Sequence, residues 1–215
     1  LGRACGFGGM VGGQYVDIAA TGKAQPLDEL KAMHRMKTGA LIRASLALGG
    51  LAAGANDQQL DALDRYGDHI GLAFQVVDDI LDVVTEMAAK MMDTAVCAIF
   101  LLNDKATHLE LRSARRNQTP YAHRPPLAVD SADSVIGRVL QMGQPLYIAN
   151  VQTDPLYRGQ EQARQEGLVS LLSVPLSVRD RVIGVFNCYT IQPRQFSTEQ
   201  KTLFVTLANQ TALAI

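Results

Sequence analysis

One change of grammar, made without punctuation, limits this chain more than any other feature. From Leu1 to about Val83, apolar residues recur at helical spacing and no stretch alternates as a strand would. After about Asp93, short β-branched or aromatic runs bounded by turn residues take over. No Pro-, Gly- or Ser-rich linker stands between the two regimes. The expectation is a multi-domain chain: an all-α helical fragment over residues 1–83, then an α+β domain with an antiparallel sheet over residues 84–215. The seam is expected within one helix, between Val83 and Glu86. A length of 215 residues permits two small cores.

Local signals refine this outline. Pro26 marks a turn, a helix opens near Leu27 and runs to Gly49 and Gly50, and a second long helix follows, with Asp57 as its cap. Glycine and alanine recur where these helices could approach closely. In the second half "AVCAIFLL", "LELRSA", "PLYIAN", "SLLSVPLSV" and "RVIGVFNCYT" read as strands, with Arg179 and Asp180 at the tip of the last hairpin. "SADSVIGRVLQMG" and "EQARQEGL" read as short helices, and a longer one opens at Ser197 with Glu199 and Gln200 nearby.

Composition removes several functions. A formal net charge of −1 gives no basic excess for a nucleic-acid partner. No apolar run approaches the roughly 18 to 20 residues of a membrane span, and the opening lacks a secretory signal pattern, so a cytoplasmic protein is expected. Cys5, Cys97 and Cys188 lack metal-ligand spacing and read as reduced core thiols. A start without methionine and an end at Ile215 inside a helical pattern suggest a piece of something longer.

The chemistry is concentrated in "FQVVDDILD". On a helical wheel Gln75, Asp78, Asp79 and Asp82 share an arc of about 100° while every other position from 72 to 84 is apolar. Two readings fit. The acids are a solvated face opposite an apolar stripe of Ile80, Leu81, Val84, Met87, Ala88, Met91 and Met92. Alternatively, they hold a hard cation, because carboxylates among apolar neighbours lose hydration that a metal ion can replace. Lys37 lies on the apolar side of its own helix, with Leu30, Met33, Ala40, Leu41, Ala44 and Leu48. It either snorkels or supplies a cation for a bound diphosphate.

"GGQYVD", "HRMKTGALI" and "FQVVDDILD", in this order, resemble the C-terminal half of bacterial trans-prenyl diphosphate synthases, the farnesyl and geranyl diphosphate synthase family. The resemblance covers nearly all of residues 1–83. It implies that Asp78, Asp79 and Asp82 are Mg2+ ligands of the second aspartate-rich motif. Lys37, Thr38 and Gln75 would then face the allylic diphosphate or the developing carbocation, and Gln14 and Asp17 the same cavity. The family's first aspartate-rich motif, its following arginines and the lysine-bearing loop after the second motif have no counterpart here. Half of the electrostatic clamp on the leaving group is therefore expected to be missing, together with catalysis by this chain alone.

The rest of the chain, from about residue 84 to 215, resembles a GAF domain. The resemblance rests on Val139–Tyr157 and Ser170–Val185, with the flanking strands and last helix in order. It implies a sensory and dimerising module that holds a small ligand between sheet and loops. Asp154, Tyr157, Ser170, Ser173 and Tyr189 are the candidate lining residues. The Asn-Lys and Phe-x-x-x-Asp-Glu signature of cyclic-nucleotide-binding members is not met, since Cys188 follows Asn187 and Phe196 leads into Ser-Thr-Glu-Gln-Lys. The ligand stays unspecified. His108 and His123 read as solvated, and the cations of "SARRNQTPYAHRPP" form either a solvated loop or an anion site.

Three functions follow as expectations. The chain is a GAF sensing and dimerisation module carrying an incomplete synthase fragment; or a Mg2+-dependent prenyltransferase once completed by a missing half; or a folding unit alone. The helical half should expose apolar faces, which predicts self-association or poor order before residue 80, and a homodimer is expected.

Overall fold

The computed structural model describes the chain except for residues 24, 117–118, 121–125, 130–133 and 180. It divides into two compact units, Leu1–Val77 and Asp78–Ile215. His123, most of the cationic stretch around it, and Asp180 lie outside the described residues.

The first unit is helical. A short α1 (Gly2–Cys5) leads to α2 (Met10–Ala20) and α3 (Leu27–His34), the last opened by Pro26 as expected. The helix predicted to continue to Gly49 does not run uninterrupted. One π-helical segment, Arg35–Gly39, joins α3 to α4 (Ala40–Ala52). Such segments widen the backbone locally and re-aim the side chains they carry, here Lys37 and Thr38.

Two glycines make the contacts of this segment possible. A Cβ on Gly13 would lie 2.3 Å from the Lys37 amide nitrogen, and one on Gly71 would lie 2.8 Å from the Gly39 Cα. The π segment is thus held between α2 and the following helix by backbone approach. Few apolar side chains are buried here: Met33 is 4% exposed, whereas Phe7, Tyr15, Ile18 and Leu51 are each more than half exposed. Bidentate pairs of Arg35 with Asp68 and Arg43 with Asp64 cross between helices, at 2.9/3.0 Å and 2.7/2.7 Å.

The long helix α5 runs from Asp57 to Met92, and the division between units falls within it. Its start corrects the expected Asp57 cap. Asn56 and Gln59 exchange side-chain bonds to each other's backbone amides, both at 3.0 Å, which places the reciprocal box one residue earlier.

In the second unit, β1 (Val96–Leu102), β2 (His108–Arg116), β3 (Thr119–Pro120), β4 (Leu127–Ala128), β5 (Leu146–Ile148), β6 (Leu171–Val178) and β7 (Arg181–Tyr189) form one sheet among the described residues. Its order is β3-β2-β1-β7-β6-β5, with β4 also on β2, and every pairing is antiparallel. Helices α6 (Val135–Met142) and α7 (Gln160–Glu166) precede the β6–β7 hairpin, and α8 (Thr198–Ala214) ends the chain. Ser134 caps α6 and Gly143 closes it in the left-handed conformation. The α8 capping box pairs Ser197 with Gln200.

Both sheet faces are covered, which explains why β1 is buried on every residue from Val96 to Phe100. On one face Val96, Leu171 and Tyr189 pack with Val135 and Ala163, while Ala98, Phe100 and Val185 pack with Val139. On the other, Phe186 meets Phe204 of α8 with ring centroids 4.7 Å apart. Cys97 and Cys188 face each other in register, Sγ to Sγ 2.9 Å, fully buried and free. Burial pushes the Cys188 thiol well up, and its hydrogen bond with Cys97 adds to this, so the thiol stays protonated and inert.

The end of α5 rotates the expected apolar face. Its buried positions are Leu81, Thr85, Ala88 and Met92, while Val83, Met87 and Met91 are exposed. The buried stripe is centred about 60° closer to the acids than the apolar pattern suggested. Asp78 and Asp82 consequently flank the buried face instead of lying opposite it.

Gly13→Ala should force α2 off the π segment at a cost of about 1–3 kcal/mol. Hydrogen exchange should show amides of residues 10–20 and 35–39 opening about tenfold faster, with β1, β6 and β7 unchanged.

Candidate functional site

The first unit brings some of its candidate residues into contact. Lys37 Nζ donates to Asp17 Oδ2 at 2.6 Å, with the two side chains 30% and 37% exposed. Helix α2 supplies the carboxylate and the π segment the ammonium, so the Gly13 contact sets the spacing of the pair. Gln75 is buried, and its Oε1 accepts from His34 Nδ1 at 3.2 Å. Thr38 is half-buried on the π segment and Gln14 is exposed on α2. The sequence reading missed His34 as a partner, although it sits within the quoted "HRMKTGALI".

The three acids lie along one side of α5. Asp78 is half-buried and Asp79 exposed. Asp82 Oδ1 accepts from Ser113 Oγ of β2 at 2.7 Å. Ser113 Oγ lies 2.8 Å from Thr85 Oγ1, whose oxygen is also 2.9 Å from the carbonyls of Leu81 and Asp82. Thr85 and Ser113 are buried, so a chain of hydroxyls ties the end of α5 to the sheet with the Asp82 carboxylate as its outer acceptor. Among the described residues, no three His, Cys, Asp or Glu groups are gathered where they could hold a metal ion.

A second site lies on the sheet face under α6 and α7, a cavity of about 220 Å³. Val135, Ile136, Leu156 and Leu171 make it apolar, and the rings of Tyr157 and Tyr189 meet edge to face at 6.3 Å. The Tyr189 hydroxyl accepts from Tyr157 at 3.4 Å and from the Asn187 amide at 3.3 Å. Asn187 lines the cavity and is 1% exposed, yet its Oδ1 finds no donor among the described residues. Ser173, directly across the ladder from Asn187 and fully buried, has a hydroxyl in the same condition.

The other candidates for this site have structural partners. Asp154 Oδ1 accepts from the Leu156 amide at 2.9 Å, turning the loop before α7. Ser170 Oγ donates to the Ala149 carbonyl at 2.8 Å and accepts from the Arg194 amide at 3.0 Å. Asn187 was not expected as a lining residue. Strand parity contained the signal: it lies two positions from Tyr189 and therefore on the same face. A larger open groove of about 750 Å³ at the end of α5 has matched charges. Glu86 pairs with Lys90 at 2.8 Å and Arg115 at 3.1 Å, and Arg194 with Asp93 at 3.6 Å.

Comparison with known proteins matches both halves. A family model for the GAF domain covers residues 76–215, and one for polyprenyl synthetase covers residues 6–97. The two overlap at residues 76–97, the end of α5 and the start of β1. Farnesyl diphosphate synthase of Escherichia coli strain K12 is 56% identical over 89 residues, which are 41% of this chain and 30% of that enzyme. The enzyme of Geobacillus stearothermophilus is 46% identical over 83 residues, 39% of this chain and 28% of the relative. The chain thus spans less than a third of these synthases, which imply a Mg2+-dependent family for its first part.

Among solved structures, the GAF domain region of a putative membrane protein from Geobacter sulfurreducens PCA superposes with a TM-score of 0.59 at 19% identity, covering 68% of this chain and 97% of that one. The GAF domain of a phosphoenolpyruvate-protein phosphotransferase from Acinetobacter gives 0.51 at 23% identity, covering 74% and 93%. These identities establish the fold. The second unit is thus a small α+β domain of GAF architecture. The chain belongs to the GAF domain family, and its first part is similar to polyprenyl synthetases. Among the described residues no helix is long and apolar enough to cross a membrane.

Replacing Asp82 and Ser113 by alanine, singly and together, should reveal a coupling of about 1 kcal/mol in urea melts, modest because Asp82 is solvent-facing. The coupling should be the same with and without millimolar MgCl2.

Proposed function

We propose that this chain is a small-ligand-sensing and dimerising GAF module whose leading helices carry a prenyl-synthase-derived segment that does not catalyse in this polypeptide. The observation that carries the proposal is the Ser113–Asp82 bond: a carboxylate needed for a metal-diphosphate clamp is spent on anchoring α5 to the sheet. Lys37 is likewise matched with Asp17, so a diphosphate would have to compete for it. We assign residues 1–83 to the synthase-like segment and 84–215 to the GAF domain, with the end of α5 serving both.

The opposing reading is a prenyltransferase making farnesyl or geranyl diphosphate, with Asp78, Asp79 and Asp82 on Mg2+ and Gln14, Asp17, Lys37, Thr38 and Gln75 around the substrate. The extent of identity over the first part favours it. Incubation with Mg2+, isopentenyl diphosphate and an allylic diphosphate separates the two. The expected result is no elongated product above the level of a variant in which all three aspartates are alanine; turnover above that control would overturn the proposal.

Dimerisation rests on α5. Val83, Met87 and Met91, one turn apart, are 58%, 47% and 44% exposed, a stripe that a second copy of the same helix would cover. Size-exclusion chromatography with light scattering should give twice the 23.2 kDa chain mass. Met87→Glu with Met91→Glu should reduce it to the monomer.

A further inference from the structure

The walls of the cavity under α6 and α7 define what it can accept, and this step rests on the reading of the second unit as a ligand-binding GAF domain. We infer that the cavity takes a small, uncharged, apolar molecule of one or two rings, held by contact with its walls and by no hydrogen bond from the sheet.

Size comes first. About 220 Å³ is below the usual range of roughly 300–1,000 Å³ for sites that enclose drug-sized ligands, so a nucleotide or an open-chain tetrapyrrole does not fit inside. It exceeds the roughly 150 Å³ in which an engineered apolar cavity encloses benzene, so a substituted ring has room.

Polarity comes next. Val135, Ile136, Leu156 and Leu171 supply aliphatic wall, and Tyr157 and Tyr189 add two rings. The polar side chains around the space serve the wall itself. Tyr157 donates to the Tyr189 hydroxyl at 3.4 Å, and that hydroxyl also accepts from the Asn187 amide at 3.3 Å. Ser134 accepts from the Gly137 amide, and Gln162 donates to Glu166. Asn187 Oδ1 and Ser173 Oγ have almost no accessible surface, so neither reaches an occupant. Among the described lining residues the one charged side chain is Arg158. It is exposed, so a carboxylate paired with it would stay in water and gain little. A water molecule inside would need roughly two to four polar partners, and these walls offer few.

The wall is also fixed in place. The Tyr157 ring meets Tyr189 edge to face at 6.3 Å, and a Cβ on Gly159 would lie 3.1 Å from the Tyr157 ring, so the Gly159 backbone packs against it. A ring held by these contacts does not collapse into the space beside it. An apolar occupant then restores the dispersion contacts that the void removes.

Toluene, phenol and benzoate make the test, because they share one ring and differ in a single substituent. Binding to the full chain is measured by saturation-transfer NMR titration and by the shift in melting temperature. Toluene should bind about tenfold more tightly than phenol, with benzoate weaker still. Ile136 is half-buried on α6, and Ile136→Trp, which fills the cavity, should abolish toluene binding. Phenol or benzoate binding as tightly as toluene would overturn the apolar assignment while leaving the cavity as a ligand site. Toluene binding that survives in Ile136→Trp would overturn its placement in this cavity. Failure of all three compounds to bind at millimolar concentration would overturn the inference and the ligand-binding reading beneath it. The comparison of the three compounds on the unaltered protein stands whether or not the variant folds.

Discussion

A helix can aim each of its side chains in one direction only, and that constraint governs this chain. Residues 76–97 match two family models, polyprenyl synthetase and the GAF domain, yet the helix they share can present only one face to the sheet. The packing requirement has determined the orientation seen here. Leu81, Thr85, Ala88 and Met92 are buried, and the hydroxyl chain from Thr85 through Ser113 to Asp82 fixes their rotation. A threonine at the centre of a buried stripe would be costly alone. Its hydroxyl removes the cost by donating to Ser113, which in turn donates to Asp82 and ties that carboxylate to the sheet.

Much of the fold could be read from the sequence because its signals are local. The five principal strands, the short helices α6 and α7 and the Ser197 start of α8 follow from alternation, turn residues and capping chemistry. What escaped depended on partners remote in sequence. The π segment at Arg35–Gly39 has no composition of its own; it exists where Gly13 and Gly71 allow backbones to meet. The cap of α5 moved from Asp57 to Asn56 because Gln59, not the nearer acid, completes the reciprocal pair. The rotation of the buried stripe on α5 turned on Ser113, which lies 31 residues away in the chain.

The candidate sites divide in the same way. Residue types pointed to Lys37, Asp17 and the aspartates, and contacts decide what they do. Lys37 and Asp17 meet as an ion pair, Gln75 meets His34, and Asp82 meets Ser113. Each bond satisfies a polar group within the protein itself, so an added ligand would compete with or share these contacts. In the second unit the balance is reversed. Asp154 and Ser170 are occupied by loop and backbone bonds, whereas Asn187 and Ser173 present polar atoms that the described residues leave unmatched.

That contrast bears on where function resides. Buried polar groups are normally paired, and an unmatched one persists where the surrounding structure enforces it or an occupant repays it. Asn187 sits on a central strand, between β1 and β6, with its neighbours Phe186 and Cys188 fully buried on the opposite face. A small shift of the strand to satisfy its amide would have to move both cores. The sheet therefore holds the acceptor in place, and its two packed faces enforce the unmatched group. The first unit has the opposite character. Three ion pairs match charges within it and many of its large apolar side chains are exposed, a surface that a covering partner would bury.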